Sequence, residues 1–229
     1  MRLETVSKSY IHRGRTVAAL DDASLEIPPG DFVAVVGPSG SGKSTLLLVL
    51  GGMLSPSTGK VFLNGRSVYE LSPNERAELR RRKVGFVFQT FNLVPYLTAL
   101  ENVQIPLYLA GLDSAAQAQR AAALLERVGL GDRLDHKPSE LSIGQQQRVA
   151  MARVLANDPE IILADEPTGN LDPETGGQIL DLLEEMNREG RTIVMVTHDP
   201  RAAQRAKRTL RLADGRISPN GQPGTGPSA

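Results

Sequence analysis

Residues 32–45 read Phe32-Val33-Ala34-Val35-Val36-Gly37-Pro38-Ser39-Gly40-Ser41-Gly42-Lys43-Ser44-Thr45. The first five are apolar and mostly β-branched, which predicts a strand covered on both faces. The next eight match the pattern G-x-x-x-x-G-K-[ST], Thr45 follows, and Leu46–Leu50 continue as an apolar helix. Strand, glycine loop and helix in that order point successive backbone N–H groups at a polyphosphate, because glycine lets the chain wrap closely. The helix N-terminus adds partial positive charge at the same place. Gly37, Pro38, Ser39, Gly40, Ser41, Gly42, Lys43, Ser44 and Thr45 are therefore the expected nucleotide cradle. Lys43 is expected at the β- and γ-phosphates, where it also serves catalysis, and the Ser44 hydroxyl on Mg²⁺. The plain alternative is a glycine turn without a ligand, but four fixed positions arise by chance in such a chain only about one time in a hundred.

A second apolar run, Ile161–Ala164, ends in Asp165-Glu166. A strand ending beside the loop delivers Asp165 to the Mg²⁺ shell and leaves Glu166 to polarise an attacking water. Two solvated acids at a strand end are the alternative. A third run, Thr192–Val196, leads to His198. A lone histidine is usually structural, yet one at the C-terminal edge of a neighbouring strand reaches a γ-phosphate.

Between these strands lie helical patterns, which predicts a parallel α/β sheet. Glu174–Arg188 has Ile179, Leu182, Leu183 and Met186 at helical spacing, with Gly190 just past its end. The first thirty residues and Lys60–Leu63 alternate more and carry an Asn64-Gly65 turn, which predicts an antiparallel β subdomain beside the main sheet. Residues of about 90–145 read as a mostly helical inserted subdomain, clearest over Ala115–Val128. Residues 218–229 are rich in Pro, Gly and Ser and read as a disordered tail after a domain covering 1–217.

The chain has 229 residues, 40 % of them hydrophobic and 23 % charged, the balance of a globular domain. Lys+Arg and Asp+Glu both number 26, so no basic excess marks a dedicated nucleic-acid binder. It has no cysteine, in keeping with a reducing compartment. The apolar stretch Leu46–Leu54 is about half the length of a membrane span and is broken by two glycines. The first residues lack the pattern of a signal peptide.

Together the motifs resemble the ABC ATPase family over residues 1–217. Besides the loop and the acidic strand, Gln89, Leu141-Ser142-Ile143-Gly144-Gln145, Gly169-Asn170-Leu171-Asp172 and His198 are similar to that family's Q-loop, signature, D-loop and switch histidine. The resemblance implies a P-loop NTPase (RecA-like) core with ATP and Mg²⁺ as cofactors. Tyr10 would stack on adenine, Gln89 would join Ser44 and Asp165 at the metal, and Glu166, His198 and Lys43 would be catalytic. It further implies a head-to-tail homodimer in which the signature of one copy, with Ser142, Gly144 and Gln145, covers the ATP on the loop of the other, and it makes Asp172 a further nucleotide-binding residue. Ser142 and Gly144 would open a helix, Gln145–Asn157, whose N-terminus meets the γ-phosphate. Ile143 departs from the family's glycine, and a β-branched residue resists positive φ, which puts the affinity of dimer closure in question.

Asp165-Glu166-Pro167-Thr168-Gly169-Asn170-Leu171-Asp172, Phe88-Gln89-Thr90-Phe91-Asn92-Leu93 and Leu97–Val103 look like the ATPases of macrolide exporters, lipoprotein-release complexes and the cell-division system. That implies a peripheral subunit on the cytoplasmic face of the inner membrane, touching the membrane only through a permease. A cytoplasmic helix of the permease would dock near Gln89 and Phe91–Leu97. Soluble ABC ATPases acting on ribosomes or DNA form a second class. They usually carry two ATPase domains or a long coiled coil, neither of which fits one motif set in 229 residues. A small-molecule kinase is a third class, which would not need Leu141–Gln145.

Overall fold

The computed structural model describes residues 1–12 and 15–219. Along the chain, β1 (Arg2–His12) and β2 (Arg15–Glu26) pair as a long antiparallel ribbon. Then β3 (Phe32–Val36) leads through the glycine loop into α1 (Lys43–Leu50). β4 (Thr58–Leu63) and β5 (Arg66–Ser67) are followed by α2 (Pro73–Lys83) and β6 (Val84–Val87). α3 (Ala99–Leu109), α4 (Ser114–Arg127) and α5 (Ile143–Leu155) precede β7 (Ile161–Asp165). Last come α6 (Pro173–Arg188), β8 (Thr192–Thr197), the short α7 (Pro200–Ala203), β9 (Arg208–Ala213) and β10 (Arg216–Pro219).

The strands form an antiparallel sheet, β2-β1-β4-β5, and a larger sheet, β10-β9-β3-β8-β7-β6. Every pairing in the larger sheet is parallel except the β9–β10 edge. The predicted antiparallel portion is thus present. Its Asn64-Gly65 turn carries φ of 48° and 77°, the paired positive values that suit a two-residue hairpin.

The apolar runs have a physical reason, since each central strand is buried on both faces. Val33 and Val35, Ile161 and Leu163, Val194 and Val196 face α1 and the antiparallel sheet. Their alternates Phe32 and Ala34, Ile162 and Ala164, Ile193 and Met195 face α5 and α6. A period-2 backbone with two dry sides leaves no polar position, which is why alternation is missing from the sequence. A third apolar cluster, with Val103, Leu107, Leu125 and Val149, joins α3, α4 and α5.

Several boundaries differ from expectation. The stretch before α3 is a loop rather than helix, held by the fully buried Asn102. Its Oδ1 accepts from Val94 N at 2.8 Å, and its Nδ2 donates to the carbonyls of Val94, Leu97 and Thr98. The helix expected over Gln145–Asn157 runs over Ile143–Leu155, because Ser142 caps it in a reciprocal box with Gln145. It therefore crosses the subdomain edge drawn near residue 145. Strand β10 continues to Pro219, pairing Ser218 with Arg211, so order extends past the boundary drawn at 217. The rest of the expected tail, residues 220–229, lies outside the described residues.

Candidate functional site

Helices α2 to α6 all begin with a side-chain cap, from Ser72, Thr98, Asp113, Ser142 and Asp172. Helix α1 has none, and no acidic residue lies in its first turn. Its cap is Gly42, with a left-handed φ of 100°, and a Cβ there would lie 2.0 Å from the carbonyl oxygen of Ala19. A Cβ on Gly37 would lie 2.1 Å from the Leu212 oxygen. These two positions accept only glycine, and the loop they shape leaves the first N–H groups of α1 without intrahelical acceptors. Ser41 Oγ is buried beside them without a partner. Such an end suits an external anion.

Lys43 folds back over this loop, its Nζ donating to the carbonyls of Gly37 at 2.9 Å and Pro38 at 3.0 Å. Pro38, Ser39 and Gly40 are exposed at the rim. Tyr10, from β1, reaches the same end, its hydroxyl 3.5 Å from Thr45 Oγ1, with Lys8 Nζ 5.5 Å from the centre of its ring.

Parallel register brings the acids alongside. Asp165 pairs with Val196 at the end of β7, and β8 in turn adjoins β3. Ser44 Oγ donates to Asp165 Oδ1 at 3.1 Å. Burial is the main influence on Asp165 and raises its pKa; the Ser44 hydrogen bond and Lys43 lower it, while Glu166 raises it further. A half-desolvated carboxylate next to a hydroxyl offers hard oxygen donors, and a divalent cation would offset the cost of its charge. The residues present therefore fit Mg²⁺.

Glu166 follows immediately with φ of 47°, an uncommon conformation for a residue with a side chain. It is held there by Glu166 N donating to the Val196 oxygen and Gly169 N donating to the Glu166 oxygen, both at 3.0 Å. The turn aims its carboxylate at His198, whose Nδ1 lies 2.8 Å from Glu166 Oε2. Glu166 is mostly covered, at 14 % side-chain exposure, whereas His198 is 68 % exposed. A shielded carboxylate held by an imidazole can take a proton from a water.

The backbone oxygen of Gln89 accepts from Asn170 Nδ2 at 3.1 Å, and its side-chain amide crowds Gly169. No hydrogen bond among the described residues joins it to Ser44 or Asp165. Asp172 is engaged in capping α6 through Glu174 N and Thr175 N.

The Ser142 segment stands apart. Ser142 N donates to Gln145 Oε1 at 2.9 Å and Gln145 N to Ser142 Oγ at 3.2 Å, so the two satisfy each other. Helix α5 packs on α3, α4, β6 and α6, whereas α1 packs on β2, β7 and β8. Ile143 is the first helical residue, so the positive φ feared at that position does not arise, and its side chain is 53 % exposed. Gly144 is the tight position, since a Cβ there would meet Thr175 Cγ2 at 2.3 Å.

The phosphate loop, the acid pair and a separate capped helix start at Ser142 are now all in view. The family described as ABC transporter matches residues 20–169. The chain belongs to that family. As an ABC-type ATPase it is 49 % identical over 233 residues to the macrolide export ATP-binding/permease protein of Paracoccus denitrificans, covering 99 % of this chain and 35 % of that protein. It is 51 % identical over 217 residues to an uncharacterized ABC transporter ATP-binding protein of Thermotoga maritima, covering 95 % of this chain and 93 % of that one. The chain thus spans about a third of the macrolide-export relatives but nearly all of the Thermotoga protein. An ATP-binding cassette solved as a dimer in a post-hydrolysis state, bound to ADP and Pi, superposes with a TM-score of 0.89 at 44 % identity, covering 95 % of this chain and 96 % of that one. ABC transporter cassettes hydrolyse ATP, and this chain has their fold.

Sequence reasoning missed two buried amides, Asn102 and Gln147, both fully enclosed. Gln147 gave a readable signal, a polar residue one turn before Met151 on the dry stripe of α5.

Proposed function

We propose that this chain is the ATP-binding and ATP-hydrolysing subunit of a transporter, closing as a homodimer on two Mg-ATP and driving a separate membrane permease by mechanotransmission or export. One observation carries this: Ser142 and Gly144 sit at a helix start that no hydrogen bond among the described residues ties to the phosphate loop. A second copy, as in the dimeric neighbour, supplies the missing half.

Within each site the cradle Gly37–Thr45 binds the phosphates, and Tyr10 offers a ring for the base. Ser44 and Asp165 would hold Mg²⁺, with Gln89 brought to it on closure, and the ion would neutralise charge on the β- and γ-oxygens. Glu166 accepts the proton of the attacking water, while His198 holds Glu166 and faces the γ-phosphate. The α5 N-terminus of the other copy, with Ser142, Gly144 and Gln145, donates to that phosphate, and Asp172 borders the shared face. Losing the γ-phosphate removes those bonds and the copies part.

Ser142→Arg tests the sharing. It is expected to lower turnover at least about a hundredfold, as loss of a transition-state donor does. ATP affinity of the isolated chain should change less than about threefold, since the residue serves another copy's site. Equal loss of both in calorimetry and phosphate-release assays would refute the reading.

The permease reading draws support from an apolar groove of about 700 Å³ between the core and the helical part. Met53, Phe86, Phe88, Ile105, Pro106 and Leu109 line it, rather than the expected Phe91–Leu97. Leu109, 59 % exposed, has no core role that explains it. Leu109→Asp should cut permease-stimulated turnover at least about tenfold with ATP binding retained, because a charge in an apolar contact is costly. Undiminished stimulation in reconstituted vesicles would exclude this face. Among the described residues no helix is long and apolar enough to cross a membrane.

A further inference from the structure

We infer that Gln147 is a positioning residue that ties the Ser142 end of α5 to the catalytic carboxylate Glu166 within one chain. The inference rests on the reading of Glu166 as the base. Gln147 is fully buried, one turn before Met151 and two before Leu155, which lie in the core beneath the central sheet. Position and burial call for an aliphatic side chain there. Instead an amide sits in the stripe, with its Oε1 left without a partner. A buried polar group with an unmet acceptor is retained against a cost, so its one made bond carries the reason.

That bond goes to the catalytic segment. Gln147 Nε2 donates to the carbonyl oxygen of the buried Pro167 at 2.9 Å. Pro167 directly follows Glu166, whose left-handed turn aims its carboxylate. From the other side the segment meets Gln89, whose backbone oxygen accepts from Asn170 Nδ2 and whose side-chain amide crowds Gly169. Residues 166–170 are therefore clamped between α5 and the loop that follows β6. Four residues of rigid helix separate Ser142 from Gln147, so a tilt of α5 when its N-terminus engages a phosphate displaces Pro167 and re-aims Glu166. Capture across the interface and activation of water become one movement.

Gln147→Met keeps the volume and suits the stripe, so it is expected to fold. Its kcat should fall about tenfold or more, as small misplacements of a catalytic group do, with KM and ATP affinity within about twofold. In a Glu166→Gln background the same change should cost less than about threefold further in single turnover, because its effect runs through Glu166. Gln147→Leu repeats the comparison independently. Native kcat in both variants overturns the inference, as does a loss that multiplies fully with Glu166→Gln or that falls equally on ATP affinity. Failure of Glu166 as the base is read separately, from near-native turnover in Glu166→Gln alone.

Discussion

Glu166→Gln is expected to bind ATP with near-native affinity, to hydrolyse it about a hundred- to ten-thousandfold more slowly, and to accumulate as an ATP-dependent dimer. The substitution keeps the size of the side chain, and an amide still meets His198 Nδ1, now 2.8 Å from Oε2. The backbone bonds that impose the φ of 47°, to Val196 and Gly169, do not involve the side chain. The loss therefore isolates proton acceptance from geometry. Dimers persist because the γ-phosphate that bridges the copies is no longer cut. Phosphate release and light scattering in the presence and absence of ATP check both halves. Turnover within a few-fold of native would remove Glu166 from the base role. Rapid ATPase without any dimer would remove the shared site.

Lys43→Ala should fail earlier in the cycle. The ammonium bridges the carbonyls of Gly37 and Pro38 and so braces the loop while presenting its charge to its inner surface. Charge-assisted bonds contribute about 1.5–3 kcal/mol, so ATP affinity should fall roughly ten- to a hundredfold or more. No ATP-dependent dimer should form at concentrations that saturate the native chain. The fold should persist, because the brace is local and α1 is anchored by the buried Leu46, Leu47, Val49 and Leu50. Titration calorimetry against ATP reads the change directly, and unchanged affinity would refute the role of Lys43.

Most of the site is legible along the chain because its chemistry is local. The loop, the helix start and the acid pair each need particular residue types within a few positions, and Gly37, Gly42, Lys43, Asp165 and Glu166 stand there in order. Gln89 and Asn102 were less legible. Their partners lie in Gly169–Asn170 and in Val94–Thr98, and Asn102 becomes a loop anchor only because it is fully buried. Ile143 is helical because the Ser142–Gln145 cap starts α5 there, so no positive φ is required of it.

By itself the sequence determined the strand–loop–helix unit, the antiparallel portion and the type of chemistry, since these depend on side-chain identity, period and glycine placement over short spans. Only the tertiary structure decided that Ser44 meets Asp165 across 121 positions, that Glu166 turns left-handed onto His198, and that Gln147 grips Pro167. Those contacts depend on which strands lie side by side and on what covers them. Sheet order and burial arise from the whole core at once, not from any one stretch of chain.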